Sequence, residues 1–450
     1  MTYAVIADVG STYTKVAVVE LAGGALLATA ARPTTVGSDV LHGLDAAVAA
    51  ATAGLDGGGD VPWYVCSSAG GGLRLAVVGY EQLVTARAGE RVGLSAGARV
   101  VHVAAGRLDG SGLAALRAAR PDVVLLVGGT DGGDAEVLLH NATRLARARF
   151  RVPVVVAGNG DARDEVCAVL HGGGVPVTAA GNVLPRIGVL DPRPARTAIR
   201  EVFLRHVIGG KRLSRGRRFA GLVRAATPDA VLSGVELLAD TGTGDLVVVD
   251  IGGATTDVYS VLTPDERGGG PSAEVAGVLW RSRTVEGDLG MRWSAPGVVR
   301  AAAAERLLAA GEETPLMAAA AARAADPGFV PADEAQRALD RRIGGLAATV
   351  ALRRHARAEP GGSGGGRDLR DVRLVIGSGG VLRHAPAVEA LAVLGAALSD
   401  HAGGWPLPRA ASTVIDTAYV LAAAGLLAGE HPDAAVGLLG RYIRSGENSP

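Results

Sequence analysis

Two aspartates are the residues best placed to do chemistry. Each closes an apolar run and opens a turn of glycine and hydroxyl side chains. The run 3–8 ends in Asp8; Gly10, Ser11 and Thr12 make the turn, Lys15 follows, and 16–19 is apolar again. The run 247–250 ends in Asp250; Gly252, Gly253, Ala254, Thr255 and Thr256 follow, then Asp257, and 258–261 resumes the apolar pattern. Two short strands joined by a glycine turn make a hairpin. Small residues leave bare N–H groups that an anion can reach, and the hydroxyls add donors. A carboxylate oxygen suits a hydrated divalent cation. Asp8 and Asp250 are therefore the candidate metal ligands and, with Lys15, the candidate catalytic residues. An ordinary hairpin turn is the alternative at either place alone. Two such turns in one chain suggest related halves facing one ligand.

Lysine is almost absent: only Lys15 and Lys211 occur among 45 basic residues. A compact ammonium fits a tight phosphate turn better than the wide fork of arginine, which makes Lys15 informative; chance survival on a surface strand is the alternative. A third piece lies near the end of the chain. The apolar run 372–376 enters Gly377, Ser378, Gly379 and Gly380. A strand leading through glycines into a helix lets the backbone approach a ribose or a base.

The three pieces, in this order, resemble the phosphate 1, phosphate 2 and adenosine motifs of the actin, sugar-kinase and heat-shock-chaperone ATPase superfamily. DIGGATTD is similar to the DLGGGTFD of the chaperones, and VIGSGGVLRHAP to their adenosine strand and turn. A closer resemblance covers most of the chain. DVGSTYTKVAVVE, CSSAGGGLRLAVVG, VLLVGGTDGGDAEV, VDIGGATTDVYS, RTVEGDLGMR and VIGSGGVLRH together resemble the glutamate mutase accessory proteins, the MutL or GlmL family, which is unrelated to the mismatch-repair protein also called MutL.

The resemblance implies an α/β fold: a two-lobed actin-like ATPase with ribonuclease H-like lobes and an α/β elaboration in the first. It implies ATP with Mg2+ between the lobes. Gly10, Ser11, Thr12, Gly252, Gly253, Ala254, Thr255 and Thr256 would hold the phosphates, and Gly377, Ser378, Gly379 and Gly380 the adenosine. It implies slow hydrolysis in a chaperone that reactivates an adenosylcobalamin-dependent mutase or aminomutase, whose subunits would be the partners. A small-molecule kinase of the same superfamily is the alternative, and an actin-like scaffold a third. A kinase needs a base for the substrate hydroxyl, and only Glu286 or Asp288 offers one. Those acids are equally able to order Mg2+, polarise water or cap a helix. The chain has no chaperone-type substrate domain and no Asp-x-His-x-x-Gly loop, so tight cobalamin binding is not expected.

At 450 residues the chain suits two lobes. The expected division is 1–245 with the elaboration at about 95–190, then 246–440, then a frayed tail at 441–450. Zero formal net charge gives no bulk attraction to nucleic acid or anionic membrane. No apolar run is long enough to span a membrane and no leader pattern opens the chain, so a cytoplasmic protein is expected. Cys66 and Cys167 lack metal-ligand spacing and are expected reduced and structural.

The elements that must hold the motifs follow from pattern. Strands are expected at 25–31, 63–67 and 73–79, with helices at 39–53 and 81–88. Between 99 and 185 short apolar runs alternate with helical stretches, the sign of a parallel sheet. The glycine-rich loop 127–134 falls at the end of one of these strands, either a second ligand contact or a support. The glycine cluster 67–72 is open to the same two readings, and 211–218 reads as a solvated basic loop. Helices are expected at 198–208, from 227, 296–325, 332–357, 385–398 and 416–427, a strand at 275–280 after a turn at 265–271, and a Gly/Ser loop at 359–367.

Overall fold

The computed structural model describes residues 2–55, 61–69, 73–80, 86, 88–89, 92–93, 98–208, 213–262, 281–357, 367–400 and 403–444. The turn at 265–271 and the strand expected at 275–280 lie outside these residues. So do most of the Gly/Ser loop and of the helix at 81–88, Gly70 to Gly72, Lys211 and the last six residues.

The chain opens with β1 (Tyr3–Val9), β2 (Tyr13–Glu20) and β3 (Leu26–Pro33), then α1 (Val40–Thr52) and β4 (Trp63–Ser67). Asp39 starts α1 by accepting the Leu41 N–H at 2.9 Å, a side-chain cap on a bare helix end. Next come β5 (Arg74–Gly79), β6 (Arg99–Ala105), α2 (Gly110–Ala118), β7 (Val123–Leu126), α3 (Glu136–Arg147), β8 (Val154–Val156), α4 (Arg163–Gly172) and β9 (Val177–Ala179). Then follow α5 (Arg193–Val202), α6 (Arg218–Leu222), β10 (Val223–Ala226) and α7 (Thr227–Leu238). The second half holds β11 (Leu246–Ile251), β12 (Thr256–Val261), β13 (Arg281–Glu286), α8 (Ala295–Ala304), α9 (Glu313–Ala325) and α10 (Glu334–Ala356). It ends with β14 (Leu374–Ser378), α11 (Gly380–Arg383), α12 (Ala387–Leu398), β15 (Ser412–Ile415), α13 (Val420–Leu427) and α14 (Pro432–Leu439).

The described strands form three sheets. The first runs β10-β4-β1-β2-β3 and the second β13-β12-β11-β14-β15. These are one topology used twice: a three-strand antiparallel meander whose first strand pairs in parallel with the fourth, and the fourth in parallel with the fifth. This is the two-lobed α/β fold expected from the motifs. The third sheet, β6-β5-β7-β8-β9, is wholly parallel. It is inserted between β4 and β10 of the first lobe. It starts with β5 at Arg74, further back than the elaboration expected at about 95–190, because 73–79 pairs with β6 and β7 rather than with the first sheet.

Side chains alternate across a strand, and both faces of β1 and β11 are covered. Val5, Ala7 and Val9 join a core with α1 and the inner face of the third sheet. Val247, Val249 and Ile251 join a core with α8, α10 and α12. The other faces meet in a shared core: Ala4, Ile6 and Tyr64 from the first lobe, Leu246, Val248 and Tyr259 from the second, with α7 and α13 between them. Burial on both faces explains why these strands read as unbroken apolar runs.

Several local expectations changed. The helix expected at 296–325 is two, because Arg306 and Gly311 take positive φ between α8 and α9. The helix at 198–208 starts earlier and ends in a widened turn, Phe203–Ile208. Residues 223–226, 281–286 and 412–415 are strands that the pattern did not reveal; each is short, and an edge position supplies its partner from far away in sequence. Residues 441–444 are packed rather than frayed: Ile443 is buried, and the Tyr442 hydroxyl accepts the Leu26 N–H at 3.0 Å.

Candidate functional site

Strand parity brings the site together. Ala4, Ile6 and Asp8 share one face of β1, and Leu246, Val248 and Asp250 share one face of β11. Both faces form the core between the lobes, so both aspartates emerge at its open end. Register does the rest. Asp8 pairs with Lys15 across the first hairpin and with Cys66 on β4. Asp250 pairs with Asp257 across the second hairpin and with Ser378 on β14. Directly paired residues lie side by side on one face. One pocket is accordingly lined by Asp8, Lys15, Asp250, Ser378, Arg383 and Tyr419.

Asp8 accepts a hydrogen bond from the Thr227 hydroxyl at 2.6 Å, at the first residue of α7, and a weak one from Cys66 Sγ at 3.6 Å. Lys15 Nζ stands 3.7 Å from Asp8 Oδ2 and 3.7 Å from the centroid of the Tyr419 ring. Burial alone would lower the Lys15 pKa; the Tyr419 phenol and the carboxylates of Asp8 and Asp250 outweigh it and raise it. Lys15 is held as a cation. Burial pushes the Asp250 carboxyl up to about 6, against the pull of Lys15 and with the push of Asp257 and Asp8. Burial pushes the Cys66 thiol up, with the Asp8 charge adding to it; a neutral thiol there is structural.

The second turn is held from behind. Met291 N–H donates to the Gly252 carbonyl (2.9 Å), and Arg292 and Trp293 donate to that of Gly253 (2.8 and 3.0 Å). The Ser294 hydroxyl donates to the Ala254 carbonyl at 2.7 Å. A trans peptide points its N–H opposite its C=O, so the amides of Gly253, Ala254 and Thr255 face away from this support. A Cβ on Gly253 would stand 3.3 Å from Thr12 Oγ1 of the first lobe; the two turns meet there. Thr12 Oγ1 is buried without a hydrogen-bond partner. A buried unpaired hydroxyl is costly, and here it sits against the turn that carries the three backbone donors, while Lys15 lies on the hairpin strand that follows Thr12. That donor set fits an anion such as a phosphate.

Other expected residues lie differently. Ser11 is exposed, and Gly10 closes the first turn by donating to the Tyr13 carbonyl at 3.1 Å. Thr256 is fully buried and gives its hydroxyl to the Leu289 carbonyl at 2.5 Å, facing away from the cleft. Thr255 lies 3.4 Å from Asp257 Oδ2, and Asp257 is paired with Arg283 at 3.1 Å. Gly377 faces the second core, where a Cβ would stand 2.5 Å from a Leu394 methyl. Gly379 has φ +109 and backs onto the Ile251 carbonyl, 2.2 Å from a would-be Cβ, so it fixes the turn expected to hold adenosine to β11. Gly380 opens α11 with free space around it. Glu286 and Asp288 are both paired with Arg354 at 2.7 Å.

The loop 127–134 lies at the C-terminal end of β7 in the third sheet. There Asn182 donates to the Gly129 carbonyl (3.0 Å) and to Asp131 (2.8 Å), while Asn159 donates to the Gly133 carbonyl (2.8 Å). Gly158-Asn159 and Gly181-Asn182, the same dipeptide at two strand ends, thus brace this loop through their asparagines. Among the described residues no group of three or more His, Cys, Asp or Glu side chains could hold a metal ion.

Residues 4–443 match the MutL protein family. The chain belongs to that family. It is 36% identical over 454 residues to the protein MutL of Clostridium tetanomorphum, covering 97% of this chain and 98% of that one. Among solved structures, this MutL-family chain is similar to an acetone carboxylase in a nucleotide-free state, with TM-score 0.37, 15% identity, and 89% and 71% of the two chains covered. It is also similar to component A of the (R)-2-hydroxyglutaryl-CoA dehydratase of Acidaminococcus fermentans, with TM-score 0.32, 10% identity, and 97% and 100% covered. Both likenesses are distant. Among the described residues, no helix of this MutL-family chain is long and apolar enough to cross a membrane.

Four residues of the site were not among the candidates read from the sequence: Thr227, Arg383, Asp416 and Tyr419. Arg383 lies within the adenosine motif, and Thr227 opens a helix that proline marks. Asp416 caps α13 from outside the helix, accepting the N–H groups of Val420 (3.0 Å) and Leu421 (3.3 Å). Nothing local marks Tyr419.

Proposed function

We propose that this MutL-family chain is an ATP-dependent accessory protein that reactivates an adenosylcobalamin-dependent mutase, such as glutamate mutase or an aminomutase. The observation that carries the nucleotide half is the meeting of the two turns: Lys15 lies among Asp8, Asp250 and Tyr419, and Thr12 keeps an unpaired buried hydroxyl against the Gly253 turn. Lys15, Thr12 and the amides of Gly253 to Thr255 would bind the phosphates. Asp8 and Asp250 would hold Mg2+ through its water shell, as hard cations with few protein ligands are held. ATP would supply a bond whose hydrolysis separates two lobe arrangements. The two lobes share one core through α7 and α13, so a ligand that draws the turns together biases both lobes.

The chaperone reading is favoured over a kinase because the candidate bases are engaged. Glu286 and Asp288 share Arg354, and Asp8 already accepts from Thr227. The client half rests on family membership. The test is to mix this protein with an inactivated adenosylcobalamin mutase from the same organism, Mg-ATP and fresh cofactor. Recovery of turnover that needs ATP and fails with Lys15→Ala is expected. A phosphorylated small molecule from a substrate screen, without effect on any mutase, would overturn the reading in favour of a kinase.

A further inference from the structure

Tyr419 is an anomaly in its backbone. Its φ of 56° and ψ of 41° place it in the left-handed region, which side chains with a Cβ avoid and glycine or asparagine tolerate. The other described non-glycine residues with positive φ are Arg120, Arg149 and Arg306, all exposed. Tyr419 instead lies inside the cleft, at the junction between the Asp416 cap and α13. Its ring has a cation from each lobe: Lys15 Nζ at 3.7 Å from the centroid, from the first lobe, and Arg383 Cζ at 4.7 Å, from the second. An aromatic residue kept where glycine would be cheaper points to work done by the ring.

The Lys15 contact with Asp8 is loose. At 3.7 Å it is longer than the 2.7–2.9 Å or so of a charge-assisted hydrogen bond. A flexible lysine stem beside a carboxylate would ordinarily close that gap. The ring face of Tyr419 also attracts the ammonium, at 3.7 Å from its centroid. We propose that Tyr419 is a positioning residue: its ring holds the Lys15 ammonium off Asp8, so that the ammonium donors stay available to a phosphate oxygen. This rests on the nucleotide reading above.

The test exploits the rarity of lysine. In a Lys211→Arg background, Lys15 gives the only lysine side-chain signal in an NMR spectrum of protein labelled at the lysine ε-carbon. The ε-proton signal of Lys15 is expected to be shifted upfield by the ring current, to remain so in Tyr419→Phe, and to move to its ordinary position in Tyr419→Gly. Glycine suits the local backbone, so Tyr419→Gly is expected to keep or raise the melting temperature. Its affinity for Mg-ATP should nevertheless fall roughly three- to thirtyfold, while Tyr419→Phe stays within about twofold of the native protein. No ring-current difference between the native protein and Tyr419→Gly, or equal ATP affinity in the two, overturns the proposal. A native protein that shows the ring-current shift but no ATP binding overturns the nucleotide reading and this inference with it; ATP binding that is indifferent to Tyr419 overturns this inference alone.

Discussion

Gly234 and Gly425 are reciprocal contacts between α7 and α13, the two helices that join the lobes. A Cβ on Gly425 would fall 1.8 Å from the Ala230 carbonyl and 2.8 Å from the Gly234 amide; one on Gly234 would fall 2.1 Å from the Leu421 carbonyl. The helices touch backbone to backbone. Gly425→Ala must force them apart, and overpacking of this kind costs about 1–3 kcal/mol. Chemical denaturation should show that loss. Gly234→Ala should cost a similar amount, and the double variant less than the sum, because both relieve one contact. Gly395→Ala, on the exposed side of α12 with nothing near its would-be Cβ, should instead gain a few tenths to about 1 kcal/mol from helix propensity.

Lys15→Ala should fold and lose nucleotide binding. Removing a charge-assisted contact to an anion costs roughly 1.5–3 kcal/mol, or about ten- to a hundredfold in affinity. Calorimetric titration with Mg-ATP measures it, with the melting curve of the free protein as control. An unchanged affinity would place Lys15 outside the nucleotide contacts.

Asp250→Asn should alter the response to both metal and pH. The folded carboxyl titrates at about 6, above its ordinary value, chiefly because of burial. Its contribution to stability is therefore full below the unfolded value and is lost as the pH rises through about 6. Asparagine carries no such penalty. The free variant should match the native protein near pH 4 and exceed it above pH 6, by at most about 3 kcal/mol. The added stabilisation by Mg2+ in the presence of ATP should fall in the native protein below about pH 6, as protonation competes with metal, and should be weak at every pH in the variant. Thermal melts across the pH range, with and without Mg2+, read both effects.

Gly253→Val should act on the ligand rather than the fold. Its side chain would press on Thr12 Oγ1, which lies 3.3 Å from the first added carbon, among the proposed phosphate donors. Affinity for Mg-ATP should drop more than tenfold with little change in the melting temperature of the free protein. Equal loss of both would mean that the turn carries the fold.

The sequence alone determined the parts that are local. Apolar runs ending in Asp8 and Asp250, each followed by glycines and hydroxyls, specify a strand and a tight turn through contacts within about a dozen residues. Their recurrence announced two halves, and the structure answers with one sheet topology used twice. Alternation along β1 and β11 also fixed which face each aspartate would share, once both faces were known to be buried.

What the sequence left open depends on partners distant along the chain. Strand β5 reads as a continuation of the first lobe, yet its ladder neighbours β6 and β7 draw it into the third sheet. Thr256 has the composition of a phosphate donor, but its position on the inward side of β12 sends its hydroxyl to Leu289. Gly234 and Gly425 look like ordinary helix glycines until α7 and α13 cross. Tyr419 has no local signature, because its role is set by Lys15 and Arg383 arriving from opposite lobes. Local sequence fixes which backbone turns form; only packing between lobes decides which side chains those turns face.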